Sequence, residues 1–115
     1  MQKAGLLFVP LFLLAATVQK TNRLSKELKE ISGWVFVNDS TLIAHNDGGN
    51  DPKLFVLNLD GSIRHKITVT NAENTDWEDI TTDHNGHLYL GDFGNNNNTR
   101  TNLRILKISL KKVLD

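Results

Sequence analysis

Six acidic residues dominate the chemistry this chain could perform: Glu30, Asp47, Asp76, Glu78, Asp79 and Asp92. Each falls at the end of a strand-like run or in a loop that joins two of them. Asn46, Asn50, Asn74 and Asn95 stand beside them. A set of donors made only of carboxylates and amides suits Ca²⁺, which takes about 6–8 oxygen ligands in flexible geometry. The same groups could hold a sugar or a phosphate ester, or supply a general base. The densest block is Trp77-Glu78-Asp79-Ile80. No turn requires adjacent acids there, so Glu78 and Asp79 read as functional. Asp47 and Asp92 are open to a second reading, because Asp and Asn near Gly are ordinary turn formers whose side chains cap the local backbone.

Two of these acids belong to one short motif used twice. Asn46-Asp47-Gly48-Gly49-Asn50 is echoed 45 residues later by Gly91-Asp92-Phe93-Gly94-Asn95, with Asp-x-Gly-Asn in common. Each copy follows an apolar run, Leu42-Ile43-Ala44 or Leu88-Tyr89-Leu90, and precedes another. Self-similarity at this period points to one supersecondary unit used repeatedly, and a four-stranded propeller blade takes roughly 40–45 residues.

Other chemistries are excluded or weak. Asp47-Gly48-Gly49-Asn50-Asp51 is not an EF-hand loop, because Gly49 stands where a ligand is needed and no bidentate Glu follows at the right distance. His45, His65, His84 and His87 do not have zinc spacing. No Gly-rich phosphate loop and no Gly-x-Ser-x-Gly elbow is present. The chain has no cysteine, which removes disulfides, thiolate metal sites and a cysteine nucleophile.

The elements that must position the acids read as β throughout. Residues 19–29 are polar, mixed in charge, and expected to form a linker. Trp34-Val35-Phe36-Val37 ends at the turn cluster Asn38-Asp39-Ser40. Strands are expected from Leu42 to His45, Leu54 to Leu59 and Ser62 to Val69, the last two joined by Asp60-Gly61, a strong hairpin signal. Trp77 to Asp83 and His87 to Gly91 flank a second such turn, Asn85-Gly86. The four asparagines from Asn95 to Asn98 require a loop. Leu103 to Leu110 is a final strand, and no segment after residue 30 shows a 3.6-residue period.

The chain has 115 residues, with 13 basic and 13 acidic side chains. A net charge of zero argues against electrostatic capture of nucleic acid. The first 18 residues read as a signal peptide, with Lys3 before the apolar stretch from Gly5 to Ala16 and small residues Ala15, Ala16 and Thr17 near a cleavage point. The stretch is shorter than the roughly 20 apolar residues of a spanning helix, although an uncleaved membrane anchor is the alternative. The expected destination is therefore the periplasm, the cell surface or the medium.

Four segments carry a family resemblance. Glu30-Ile31-Ser32-Gly33, His45 to Asn50, Asp76-Trp77-Glu78-Asp79-Ile80 and Gly91 to Asn96, with Arg100 beyond, resemble the N-terminal blades of secreted bacterial β-propeller proteins. The layout is similar to six-bladed phytase-like and gluconolactonase/paraoxonase-like propellers. The resemblance spans residues 28–110. It implies an all-β chain with two four-stranded antiparallel blades, about 30–70 and 77–110, forming part of a propeller over residues 30–115. A propeller closes with about four to eight blades, so completing blades or self-association would be needed. A small autonomous β-sandwich carrying a repeat is the alternative architecture.

The resemblance also implies a Ca²⁺ site whose ligands converge from successive strands: Glu30, Asn46, Asp47, Glu78, Asp79, Asp92 and Asn95. The expected function is an exported binding or scaffold module taking a small molecule, carbohydrate or protein at the strand-end face. A Ca²⁺-dependent hydrolase of phosphoesters or lactones is the alternative.

Overall fold

The computed structural model describes residues 15–115. The leader expected over residues 1–18 lies outside the described residues except for its last four positions. Among the described residues, no helix is long and apolar enough to cross a membrane.

The chain enters through one 3₁₀ turn, Lys26–Leu28, started by Ser25, whose hydroxyl accepts from the Glu27 N–H at 3.3 Å. The expected linker over residues 19–29 therefore holds an ordered turn, and Leu28 within it is buried. Seven strands follow: β1 (Ile31–Asn38), β2 (Thr41–Asn46), β3 (Lys53–Asn58), β4 (Ile63–Thr68), β5 (Trp77–Thr82), β6 (His87–Asp92) and β7 (Arg104–Ser109). A short helix, α1 (Leu110–Leu114), ends the chain. The strands form two antiparallel meanders, β1-β2-β3-β4 and β5-β6-β7.

Both hairpin turns expected from Asp-Gly and Asn-Gly form, with Gly61 at φ 83° and Gly86 at φ 80°. That left-handed conformation costs glycine nothing and any residue with a Cβ something. Asp60 and Asp83 brace the two turns by accepting the N–H groups of Ser62 and Asn85.

The second sheet differs from the expectation of four strands. It has three, because the chain after Ser109 turns into α1 instead of pairing again. Leu110, Val113 and Leu114 have i, i+3, i+4 spacing, and all three pack on the core, with Val113 1% exposed. Five residues are too few to show a period in the sequence, so packing decides this element. His65 on β4 fixes the helix end through Nε2, 2.8 Å from the Val113 carbonyl oxygen.

The two sheets face one another. Ile43, Leu54 and Val56 from the first meet Trp77, Ile80, Leu88 and Leu90 from the second, and all but Ile80 are fully buried. Burying each aliphatic side chain is worth about 1.5–3 kcal/mol, which makes this cluster the main adhesive between sheets. A smaller cluster of Leu28, Ala44, Phe55 and Leu57 lies on the opposite face of the first sheet. The first strands of the two sheets, β1 and β5, lie side by side, and the Ser32 hydroxyl donates to the Trp77 carbonyl across the gap at 3.3 Å.

Candidate metal centre between the two sheets

At the end of β2 the chain turns through Asp47 toward β3. At the start of β5 it enters the second through Asp76 and Glu78. The carboxylates of Asp47, Asp76 and Glu78 come together, with one oxygen from each within 4.8 Å of the others. This triad could hold a metal ion. Asp76 and Glu78 are half-buried and Asp47 is exposed, so the site opens to solvent. Among the described residues, no ion pair reaches any of the three. Three carboxylates at this spacing repel one another unless a cation or a proton intervenes.

Backbone packing forces them together. A side chain at Gly48 would meet the Thr75 carbonyl oxygen at 2.7 Å and the Asp76 carboxylate at 2.8 Å. A side chain at Gly94 would run into the carboxylates of Asp76 and Glu78. Asp76 thus sits between two glycines, one from each sheet, and only residues without a Cβ allow that approach. Asn74 supplies the bracket. Its Nδ2 donates to the carbonyl oxygens of Asn46 and Asp47, at 3.0 and 2.9 Å, and its Oδ1 accepts from the Trp77 N–H at 3.1 Å. One buried amide therefore ties the end of β2 in the first sheet to the start of β5 in the second.

The other expected ligands lie elsewhere. Glu30 is exposed and its carboxylate accepts from Asn50 Nδ2 at 2.8 Å, which pins the loop that carries Asp47. Asp79 is exposed on the far face of the second sheet, with its own Oδ1 accepting the Ile80 N–H. Asn46 is buried and donates to the Glu27 carbonyl at 2.8 Å, while its Oδ1 has no protein partner. Asn95 closes the β6–β7 connection by accepting from the Arg100 N–H at 2.9 Å.

Asp92 is fully buried, and both its oxygens are taken. Oδ1 accepts from Arg100 Nη2 at 3.0 Å and from the Asp76 N–H at 3.1 Å; Oδ2 accepts from Arg104 Nε at 3.0 Å. Charge-assisted bonds of this kind are about twice as strong as neutral ones. Asp92 is a structural anchor, and it contributes to the centre only by holding the Asp76 backbone.

Asp76 belongs to the acids of the sequence but not to the expected ligand set, and Arg100 and Arg104 emerge as counter-charges only in the structure. Asp76 carried a signal, since it begins the Asp-Trp-Glu-Asp block. Arg100 has a place in the family resemblance but Arg104 has no signal, and the meeting of both with Asp92 depends on how the β6–β7 loop folds back.

His45 lies beside the centre. It is fully buried, stacks edge-on against Trp77 with ring centroids 6.0 Å apart, and has Nδ1 3.0 Å from the Asn46 carbonyl oxygen. Burial pushes its imidazole below the ordinary histidine value; the Asn46 carbonyl and the charges of Asp79 and Asp47 oppose that shift. Asp83 is a turn staple. Partial desolvation would raise its carboxyl, but bonds from the His87 N–H, Tyr89 hydroxyl, Asn85 N–H and His87 ring together hold it well below the usual range.

A polar cleft of about 340 Å³ adjoins the Asp47 loop, bounded by Glu27, Asn46, Gly49, Asn50, Asp51 and Lys53. That volume is within the range of small-molecule sites, roughly 300–1,000 Å³. No protein-family model, curated protein or solved structure matches the chain.

Proposed function

We propose that the chain is an exported β-propeller portion that serves as a binding or scaffold module, with a Ca²⁺ ion at Asp47, Asp76 and Glu78 joining its two sheets. The observation that carries the reading is the triad itself. Its ligands come from both sheets, and no protein cation among the described residues balances them. All three ligands are carboxylates, which favours a hard cation, and the open, partly loop-borne geometry favours Ca²⁺ over the stricter octahedron of Mg²⁺. The two meanders, face to face with their first strands adjacent, support the reading of successive blades. The polar cleft beside the Asp47 loop supports a small polar ligand, a carbohydrate or a protein side chain, at the strand-end face.

The test is thermal unfolding with Ca²⁺ and with a chelator. A ligand that binds only the folded state at about a hundredfold excess over its Kd adds about 2.7 kcal/mol of stability. Asp76→Asn combined with Glu78→Gln keeps the shape of the centre, removes two charges and should abolish that gain. An equal Ca²⁺ response in both proteins, or none in wild type, overturns the metal assignment. Export has its own readout: N-terminal sequencing of the secreted or periplasmic product should begin near residue 19.

A further inference from the structure

The two sheets repeat with a period of 46 residues in their pairing. Gly33 pairs with His45 as Asp79 pairs with Gly91, and Trp34 with Ala44 as Ile80 with Leu90. On the third strands, Leu54 faces His45 as Ile105 faces Gly91. The correspondence identifies which faces are already partnered. Inside the chain, the Ile43 and Leu54 face of the first sheet covers the Ile80, Leu88 and Leu90 face of the second. The counterparts of Ile80, Leu88 and Leu90 on the first sheet are Trp34, Leu42 and Ala44. The counterparts of Ile43 and Leu54 on the second sheet are Tyr89 and Ile105. Each chain therefore carries one further copy of each half of its own interface, on its two outward faces.

Each half is open in part: Ala44, Phe55 and Leu57 on the first sheet are already buried under Leu28, and Asp79, Thr81 and Lys107 stand exposed among the apolar residues of the second. On the first sheet, Leu28 covers Ala44, but Trp34 and Phe36 on β1 are 56% and 53% exposed, with their rings edge to face at 5.3 Å. On the second sheet, Ile105 is 65% exposed and Phe93 40%, and a shallow depression lies among Thr81, Tyr89, Gly91, Phe93 and Ile105, with the acid Asp79 at its edge. Exposed aromatic clusters of this kind mark interaction surfaces, and aromatic residues are the usual interface anchors.

We propose that these two faces dock on each other between copies of this chain, head to tail, with Trp34 and Phe36 of one copy seated on Tyr89, Phe93 and Ile105 of the next. The contact follows the register of the one between the two sheets along β1, the part of the first sheet's outer face that Leu28 leaves open. It is heterologous, so it leaves a free face of each kind until the assembly closes. The proposal rests on reading the two sheets as repeats of one propeller unit and names the partner that reading requires.

Mixing tests it. Wild-type chain should self-associate in sedimentation velocity as concentration rises. Trp34→Asp should block one face and Ile105→Asp the other, each weakening association on the order of 30-fold or more, the effect of losing a central anchor. Both positions are exposed, and circular dichroism and a thermal melt of each variant should match wild type. Mixed together, the two variants still have one intact face each, so they should form a 1:1 dimer and stop there. A wild-type chain that stays monomeric up to its solubility limit overturns the proposal. So does a mixture that fails to pair, or variants that associate like wild type. The Ca²⁺ response of the triad is read on the same samples, and its presence or absence is independent of the association result.

Discussion

The two sheets end their second strands in chemically opposite ways, and the difference shows which carboxylate the chain pairs with its own arginines and which it leaves unpaired. Asp47 and Asp92 look equivalent in sequence, at 45 residues' separation, but the strands repeat at 46. By pairing register, Ile31 opposes Asn46 as Trp77 opposes Asp92, so the counterpart of Asp92 is Asn46. A slip of one residue along a strand turns a side chain to the other face. Asp92 therefore points inward and is fully buried, whereas Asp47 lies just past its strand and is exposed.

The connections that follow make the same contrast. Six residues link β2 to β3, and eleven link β6 to β7. The longer connection folds Arg100 back onto Asp92, with Arg100 Nη1 also donating to the Gly94 carbonyl at 2.9 Å. The second sheet thus supplies its own cation. In the first sheet the β2–β3 connection is short and holds no arginine, and its acid, Asp47, faces Asp76 and Glu78. In one place the chain's own guanidinium neutralises the carboxylate; in the other, among the described residues, no side-chain cation pairs with the acids.

The largest effect should come from breaking the self-supplied pair. Asp92→Ala leaves Arg100 without its counter-charge and the Asp76 N–H without an acceptor. Removing one partner of a buried ion pair costs about 3–5 kcal/mol. Asp47→Ala, in a chelated sample, should fall within about 0.5 kcal/mol of wild type, as exposed substitutions do. Urea unfolding of the two variants side by side reads the difference. Equal losses would mean that the two aspartates do the same structural work.

Next comes Asn46→Asp, which places a carboxylate at the true counterpart of Asp92 without an arginine to meet it. The new charge would be buried, and the amide donation to the Glu27 carbonyl would be lost. A cost of about 2–4 kcal/mol is expected at neutral pH, easing in acid as the carboxyl is protonated. A neutral outcome would show that the first sheet tolerates a charge there and that the connection length is not what separates the two sheets.

These contrasts also show why the sequence discloses the fold better than the centre. The hairpin turns are local, and Asp60-Gly61 and Asn85-Gly86 specify them with two residues each. The strands have enough length for their apolar pattern to register. Helix α1 does not, and its conformation follows from Val113 reaching a core built from both sheets. The site depends on register and on loop folding. The pairing of β5 with β6 shifts by a bulge between Trp77 and Asp79, which places Asp79 opposite Gly91, and nothing in a run of acids encodes that bulge. Glu78 and Asp47 were legible as acids at strand ends; that Asp76 joins them depends on two glycines, Gly48 and Gly94, one from each half of the chain.

The smallest expected effect concerns the pH at which the sheets part. His45 occupies the register position that Gly91 holds in the second sheet, so only the first sheet buries a titrating ring there. Its folded value is depressed by burial, while in the unfolded chain it titrates near 6.5. As pH falls past about 6.5, the unfolded chain takes up a proton that the folded chain resists. Stability is therefore complete above that pH and declines below it, until the folded value is reached and the slope levels off. Each pH unit of depression corresponds to about 1.4 kcal/mol. The charges of Asp79 and Asp47 limit the depression, so the step should be modest. His45→Gln removes the titration while keeping a polar group, and thermal melts between about pH 7.5 and about pH 5.5 should then lose part of their acid slope. His65, His84 and His87 remain in both proteins, so the difference isolates His45. Identical slopes would show that the ring accepts a proton in place, and that the contact of His45 with Trp77 is indifferent to its charge.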